Sequence, residues 1–148
     1  MSVVIRKACP TDRPFVLSSW MKSYRGARYF DGWDNVRFYS DYNGFQERIK
    51  GLLNRIETRL VVAHFAGDPD EILGWAAGEP PSSLFYVYVK QPYRNANTPR
   101  GEDPLRVSEQ LIKAICPKFG TVETQCACTC PGWGDLRKRF LLQFNPYL

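Results

Sequence analysis

Apolar residues recur at regular intervals along most of the chain, and these intervals predict its strands and helices. A short β-branched run at residues 3–8 predicts a first strand. Thr11 is then expected to cap a helix. Val16, Trp20 and Tyr24 follow at steps of four, which places them on one face of that helix. The start of the chain thus predicts one strand followed by one helix.

The middle of the chain predicts a second helix and three strands in close succession. The helix is indicated by apolar residues spaced three and four apart, namely Tyr42, Phe45, Ile49, Leu52, Leu53 and Ile56. Compact apolar runs at 60–66 and 72–78 predict an antiparallel hairpin, because only a short turn separates them. The aromatic and β-branched run at 84–90 predicts a third strand, placed centrally in the sheet.

The last third of the chain predicts two further helices and one more strand. A third helix is expected with Asp103 as its cap and Pro104 in its first turn. Its apolar positions are Leu105, Leu111, Ile112 and Ile115. A strand is predicted at 121–129, a short basic helix at 135–142 and an extended tail at 143–148. The order of elements indicates a single α/β domain over residues 1–148.

Composition agrees with a soluble globular domain. The 148 residues are 44% hydrophobic and 24% charged, close to the averages for such proteins. No run approaches the roughly 20 apolar residues of a membrane span, and the first residues lack the apolar segment of a secretory signal. We therefore expect a cytoplasmic protein, in the host cytoplasm if it is phage-encoded, that has no membrane partner.

The cysteines predict reduced thiols and no metal site. The chain has five, and Cys126, Cys128 and Cys130 alternate along one predicted strand. Structural zinc sites usually pair cysteines with two other residues between them, whereas these have one, and the single histidine, His64, lies on a different predicted strand. Buried cysteine behaves as a small hydrophobic residue, so core packing is the favoured interpretation.

Net charge favours anionic partners without identifying them. The chain carries a formal charge of +5. This excess suits both nucleic acid and the phosphates of coenzyme A. Arg137, Lys138 and Arg139, with Trp133 nearby, could contact nucleic-acid phosphates and stack a base, or could form a solvated helix face.

Three segments resemble the GNAT family of N-acetyltransferases. Val4-Ile5-Arg6-Lys7-Ala8 followed by Thr11-Asp12-Arg13-Pro14 is similar to the family's opening strand and helix. Residues 72–75 resemble its third strand, and residues 86–94 resemble its fourth strand and the start of its coenzyme loop. The resemblance implies a GNAT-like acyl-CoA N-acyltransferase fold: a central, mostly antiparallel sheet flanked by about four helices.

A narrower resemblance indicates what kind of genome encodes the protein. Residues 18–20, the aromatic loop at 26–39 and the ending at 144–148 are similar to small GNAT-like proteins of tailed bacteriophages. This resemblance implies a phage-encoded protein.

The family resemblance also implies a coenzyme site along the fourth strand. Val87, Val89 and Lys90 would position the acyl arm of acetyl-CoA as co-substrate, and Arg94 and Arg100 would hold its phosphates. The family places the pyrophosphate on a loop of pattern Gln/Arg-x-x-Gly-x-Gly/Ala, whose glycines and free N–H groups cradle phosphate.

This chain departs from that loop pattern. Counted from Gln91, it has Arg94 and Ala96 where Gly and Gly or Ala are required. Counted from Arg94, it has Asn97 and Pro99 at those positions. Asp103, as the expected cap of the third helix, would also compete with a pyrophosphate for the same N–H groups.

Candidate catalytic residues follow from the chemistry of acyl transfer to an amine, which requires a base and an acid. The family often places a carboxylate on the fourth strand and a tyrosine in the last helix, and this chain has neither. Tyr88, Tyr147 and Glu79 are the available substitutes. A strand tyrosine is otherwise a packing residue, and Glu79 is otherwise a solvated loop acid.

The acceptor side is assigned by resemblance alone. In the family, the region between the first two helices often shapes the site of the amine acceptor. The corresponding residues here are Tyr29, Asp31, Trp33 and Tyr39.

Three functions stay open from the sequence. The first is an acyl-CoA-dependent N-acetyltransferase of unknown acceptor. The second is a non-catalytic GNAT-fold protein that serves in binding, assembly or nucleic-acid contact, favoured by the altered loop. The third is a GNAT-like enzyme that modifies DNA, which the positive charge permits.

Overall fold

A computed structural model describes residues 2–26, 42–80, 83–115, 124–126 and 142–144. The strands are β1 Val3–Lys7, β2 Arg59–Phe65, β3 Asp68–Glu79, β4 Ser83–Val89, β5 Thr124–Cys126 and β6 Leu142–Phe144. The helices are α1 Arg13–Gly26, α2 Tyr42–Leu53 and α3 Val107–Ile115. Within these ranges, no helix is both long enough and apolar enough to traverse a lipid bilayer.

The strands form one mixed sheet in the order β1-β2-β3-β4-β5-β6. The first four strands pair antiparallel with their chain neighbours, whereas β4–β5 and β5–β6 are parallel. Gly67, at φ 89°, supplies the left-handed conformation in the tight turn between β2 and β3. The mixed, mostly antiparallel α/β fold predicted from the sequence is thus confirmed.

One face of the sheet is covered by α1 through an aromatic cluster. The ring of Trp20 lies 5.3 Å from that of Trp75 and 5.2 Å from that of Tyr86. Trp75 donates its indole N–H to the Ser19 hydroxyl at 2.8 Å, so the buried indole nitrogen is satisfied. Val16 and Trp20 are fully buried, as the four-residue spacing predicts.

The opposite face is covered by α3. Alternation along β4 directs Phe85, Val87 and Val89 away from α1, and all three are buried. The helix packs on β2, β3 and β4. Its buried positions are Val107, Leu111, Ile112 and Ile115.

The start of α1 differs from the prediction. Thr11 is not the cap: a single 3₁₀ turn, Pro10–Asp12, precedes α1, and Cys9 occupies the N-cap position of that turn. The Asp12 carboxylate accepts the backbone N–H of Cys9 at 2.7 Å. Asp12, rather than Thr11, therefore supplies the side-chain oxygen that accepts a free backbone N–H before α1.

The start of α3 also differs from the prediction. Asp103 and Pro104 precede the helix, which begins at Val107. Arg106 adopts a left-handed conformation with φ 54°, and its N–H is donated to Asn95 Oδ1 at 3.1 Å. The chain therefore turns into the helix later than the proline and acidic residues suggest.

Several predictions fall outside the described residues. They concern the aromatic loop between α1 and α2, the basic helix up to residue 141, and Cys128 and Cys130. Within the predicted strand at 121–129, residues 124–126 do form β5. Leu142 begins β6 and does not end a helix.

Candidate functional site

The C-terminal half of β4 is held tightly against β3. Val87 pairs with Ala76, and Val89 pairs with Gly74. The ladder continues past the strand, because Lys90 donates its N–H to the Leu73 carbonyl at 2.8 Å. This pairing fixes the segment that the sequence assigns to the acyl arm.

Gly74 makes the close approach between these strands feasible. A Cβ at this position would collide with the Tyr88 carbonyl oxygen and lie 3.1 Å from the Val89 Cα. Both are backbone atoms, which cannot rotate away as the end of a side chain can. Glycine is therefore required where β3 meets the candidate coenzyme segment.

Beyond β4 the chain forms two consecutive 3₁₀ turns, Gln91–Tyr93 and Asn95–Asn97. The amides at 93, 94, 97 and 98 donate to carbonyls three residues earlier, at 2.9–3.3 Å. Asn97 Nδ2 also donates to the Gln91 carbonyl at 2.6 Å. These four backbone donors are used within the turn and are not directed at a ligand, unlike those of a glycine-rich phosphate loop.

Arg94 is the side chain best placed to bind an anion at the end of β4. Its Nε donates to the Val89 carbonyl at 2.8 Å, which anchors the half-buried guanidinium. Its two terminal nitrogens have no partner among the residues that the structure describes. Arg100 lies exposed on the same loop. A guanidinium held by Nε can still present two donors to a phosphate.

The first turn of α3 brings a further charge cluster close to this loop. The bond between Asn95 and Arg106 ties the loop to the helix start. The acidic residue in that first turn is Glu109, which ion-pairs with Lys113 at 3.3 Å and with Arg106 at 3.7 Å. Asp103, which was expected to cap the helix and compete with phosphate, is exposed and precedes the helix, and the first-turn carboxylate is the paired Glu109.

The side chain of Lys90 is not grouped with those of Arg94 and Arg100. Its ammonium lies 3.2 Å from Glu71 and 5.1 Å from the centroid of the Phe15 ring on α1. Its side chain therefore lies on the α1 face of the sheet. Its backbone N–H is donated to Leu73 and its carbonyl accepts the N–H of Tyr93, so the coenzyme role of Lys90 stays a prediction from the sequence.

The candidate catalytic residues lie apart. Tyr88 is half-buried, with its ring 6.1 Å from Trp75 and 6.3 Å from Phe15. Glu79 lies at the far end of β3, four residues beyond the Trp75 partner of Tyr88, which is roughly 13 Å along a strand. Its carboxylate pairs with Arg55 at 3.1 Å. Tyr147 lies outside the described residues, as do the acceptor candidates Tyr29, Asp31, Trp33 and Tyr39.

A partly buried ion pair that the sequence did not predict joins β1 to the 3₁₀ turn that precedes α1. Asp12 accepts from both terminal nitrogens of Arg6, at 2.8 and 3.3 Å. The hydrogen bond from Arg6 lowers the pKa of the Asp12 carboxyl and, reciprocally, raises the pKa of Arg6. The only signal in the sequence is an arginine at a strand end with an aspartate in the following helix turn.

The described residues include no group of three or more His, Cys, Asp or Glu side chains arranged for a metal ion. His64 is buried, and its Nδ1 lies 2.8 Å from the Phe65 carbonyl. This is the geometry of a hydrogen-bonded strand histidine.

Comparison with solved structures shows which fold this is. A GCN5-related N-acetyltransferase from Rhodopseudomonas palustris matches with a TM-score of 0.59 and 14% identity, over 94% of this chain and 80% of that one. The ribosomal-protein-alanine N-acetyltransferase of Brucella melitensis biovar Abortus 2308 matches with a TM-score of 0.52 and 14% identity, over 94% and 90%. No family model matches the sequence, and no curated protein does. The chain has the GNAT acyltransferase fold.

Proposed function

We propose that this protein is an acyl-CoA-dependent N-acyltransferase with acetyl-CoA as its co-substrate. The observation that carries the proposal is the Arg94 guanidinium, anchored on the Val89 carbonyl at the end of β4, with two terminal nitrogens that no described residue occupies. The fold is that of the GNAT structures, and Arg94 follows the strand along which, as the family resemblance implies, the acyl arm would bind.

The residues present fit coenzyme A if arginine side chains, and not loop amides, bind its phosphates. Backbone groups of Val87 and Val89 would hold the acyl arm, as the family resemblance implies, whereas the N–H and the carbonyl of Lys90 are already used by Leu73 and Tyr93. The loop amides are used in 3₁₀ turns, so the phosphates would be bound by the side chains of Arg94 and Arg100. Because Arg94 is only half-buried and Arg100 is exposed, salt should weaken this binding.

The chemistry is direct attack of an amine on the thioester. A C–N bond forms, the C–S bond breaks, the amine loses a proton and the departing thiolate gains one. Tyr88 or Tyr147 would supply the proton to sulfur, and water would take the proton of the amine. Glu79, the carboxylate named from the sequence, is paired with Arg55 roughly 13 Å along the strand from Tyr88 and is not placed to serve the same centre. The acceptor would lie against Tyr29, Asp31, Trp33 and Tyr39. Its chemical class beyond an amine, and the bacteriophage origin, stay predictions from the sequence.

A second candidate is a GNAT-fold protein without acyl transfer, which acts in binding or assembly or contacts nucleic acid. One observation favours it: four amides of the coenzyme loop are already bonded within the loop. The net charge of +5 is compatible with it and with enzymatic modification of DNA.

Calorimetry with acetyl-CoA tests the proposal, using Arg94→Ala and a matched control, Lys50→Ala. Lys50 also carries one positive charge, but it lies on α2 and makes a single loose pair with Glu47 at 3.8 Å. Wild type and Lys50→Ala should bind alike, whereas Arg94→Ala should bind roughly 10- to 100-fold more weakly, the range for a lost charge-assisted phosphate contact. Affinity should also fall as salt is raised.

Two results would decide against the enzyme. Equal acetyl-CoA affinity in Arg94→Ala and Lys50→Ala would remove Arg94 from the coenzyme site. Absence of acetyl-CoA binding by the wild type, together with retention of duplex DNA at moderate salt, would favour the nucleic-acid-associated alternative.

A further inference from the structure

A cleft of about 560 Å³ opens on the α1 face of the sheet, and of the candidate coenzyme residues only Lys90 lines it. Its walls come from the end of β1, the start of α1, the first residues of β3 and the residue after β4. The volume lies within the range of about 300 to 1,000 Å³ that small-molecule sites occupy. The proposed acyl transfer does not use this cleft.

The charged groups that line the cleft are unequally compensated. Arg6 and Asp12 neutralise each other through two hydrogen bonds, and Lys90 is neutralised by Glu71 at the rim. Asp70 also lines the cleft; it makes no hydrogen bond or ion pair with the residues that the structure describes, but it attracts Arg6 electrostatically. Asp12, Asp70 and Glu71 thus face Arg6 and Lys90, which leaves an excess of one negative charge to attract a cation, although the protein as a whole is positively charged.

The apolar part of the cleft complements an organic cation. Phe15 and Ile72 contribute an aromatic and an aliphatic surface. The face of the Phe15 ring already carries the Lys90 ammonium, 5.1 Å from its centroid, so the ring is available to the apolar body of a ligand and not to a second ammonium. A ligand with an apolar body and an ammonium group directed at Asp70 would match this arrangement.

From this arrangement we infer that the cleft is a second ligand site, which binds a small primary amine through Asp70 and packs its apolar body against Phe15 and Ile72. The inference does not depend on acyl transfer, because the cleft and the Arg94 guanidinium involve different side chains. The Cys9 thiol is exposed and lines the same cleft, so it can report occupancy.

The test uses 2-phenylethylamine as the probe and 2-phenylethanol as its uncharged counterpart. Binding is followed by calorimetry and by the rate at which iodoacetamide alkylates Cys9, located by peptide mapping. We expect the amine to bind saturably and to slow alkylation of Cys9. The alcohol should bind roughly tenfold or more weakly, because it cannot pair with a carboxylate.

Asp70→Asn should weaken amine binding roughly tenfold or more and remove the protection of Cys9. Asp68→Asn is the matched control, because it removes one exposed carboxylate from the same strand without lining the cleft. Equal binding of amine and alcohol, full amine affinity in Asp70→Asn, or no saturable binding would each overturn the inference. Acetyl-CoA affinity should be the same in both variants, so a failure here is distinguishable from failure of the proposed enzyme.

Discussion

Replacement of Gly74 by alanine tests whether the junction of β3 and β4 supports the candidate coenzyme segment. The new Cβ would collide with the Tyr88 carbonyl oxygen and approach the Val89 Cα to 3.1 Å. Both are backbone atoms, so the strand backbone must shift to make room for the Cβ. Overpacking of this kind costs about 1–3 kcal/mol in free energy of unfolding. For a domain of this size, that is a fall in melting temperature of roughly 3 to 10 °C.

The same displacement should weaken coenzyme binding. Val89 carries the carbonyl that anchors Arg94, so a shift of the strand moves the guanidinium with it. Urea and thermal unfolding followed by circular dichroism, together with acetyl-CoA calorimetry, measure both effects. Gly51→Ala is the control, because its Cβ meets nothing within 4 Å on an exposed helix surface. It should stabilise the protein by about 0.5–1 kcal/mol. A Gly74→Ala protein as stable as Gly51→Ala would show that the junction of β3 and β4 tolerates a Cβ at residue 74.

Two further predictions concern the core and the entry to α1. Ser19→Ala should lower the free energy of unfolding in urea by about 1–3 kcal/mol, because it deprives the buried Trp75 N–H of its acceptor; an unchanged midpoint would contradict this role. The lowered pKa of Asp12 should contribute stability that is fully present above its ordinary value of 3.8 and is lost as pH falls through the lower folded value. In unfolding titrations between pH 6 and 2, Asp12→Asn should abolish this part of the pH dependence, and an identical slope in variant and wild type would exclude it.

The regular elements could be predicted because their apolar spacing follows the period of a helix or a strand. The residues at which the helices begin could not be predicted, because they depend on contacts that form only in the folded protein. Asp12 reaches back to the Cys9 N–H while it holds Arg6, which gives it the capping role expected of Thr11. Arg106 takes a left-handed conformation with its N–H on Asn95, which sets the start of α3.

The candidate site was predictable to a smaller extent. Arg94 could be named from its place after the fourth strand, but its bond to the Val89 carbonyl depends on the turn that follows. The side chain of Lys90 shares a face with Tyr88 by strand alternation, so its separation from the arginines could have been anticipated. The pairing of Glu79 with Arg55, 24 residues earlier, has no local signal.

Amide hydrogen exchange with and without acetyl-CoA locates the bound coenzyme on the chain. We expect slower exchange in peptides that cover residues 85–101, with α2 unchanged as the internal reference. Undiminished exchange in those peptides at saturating acetyl-CoA, or protection confined to another region, would contradict a coenzyme site at the end of β4.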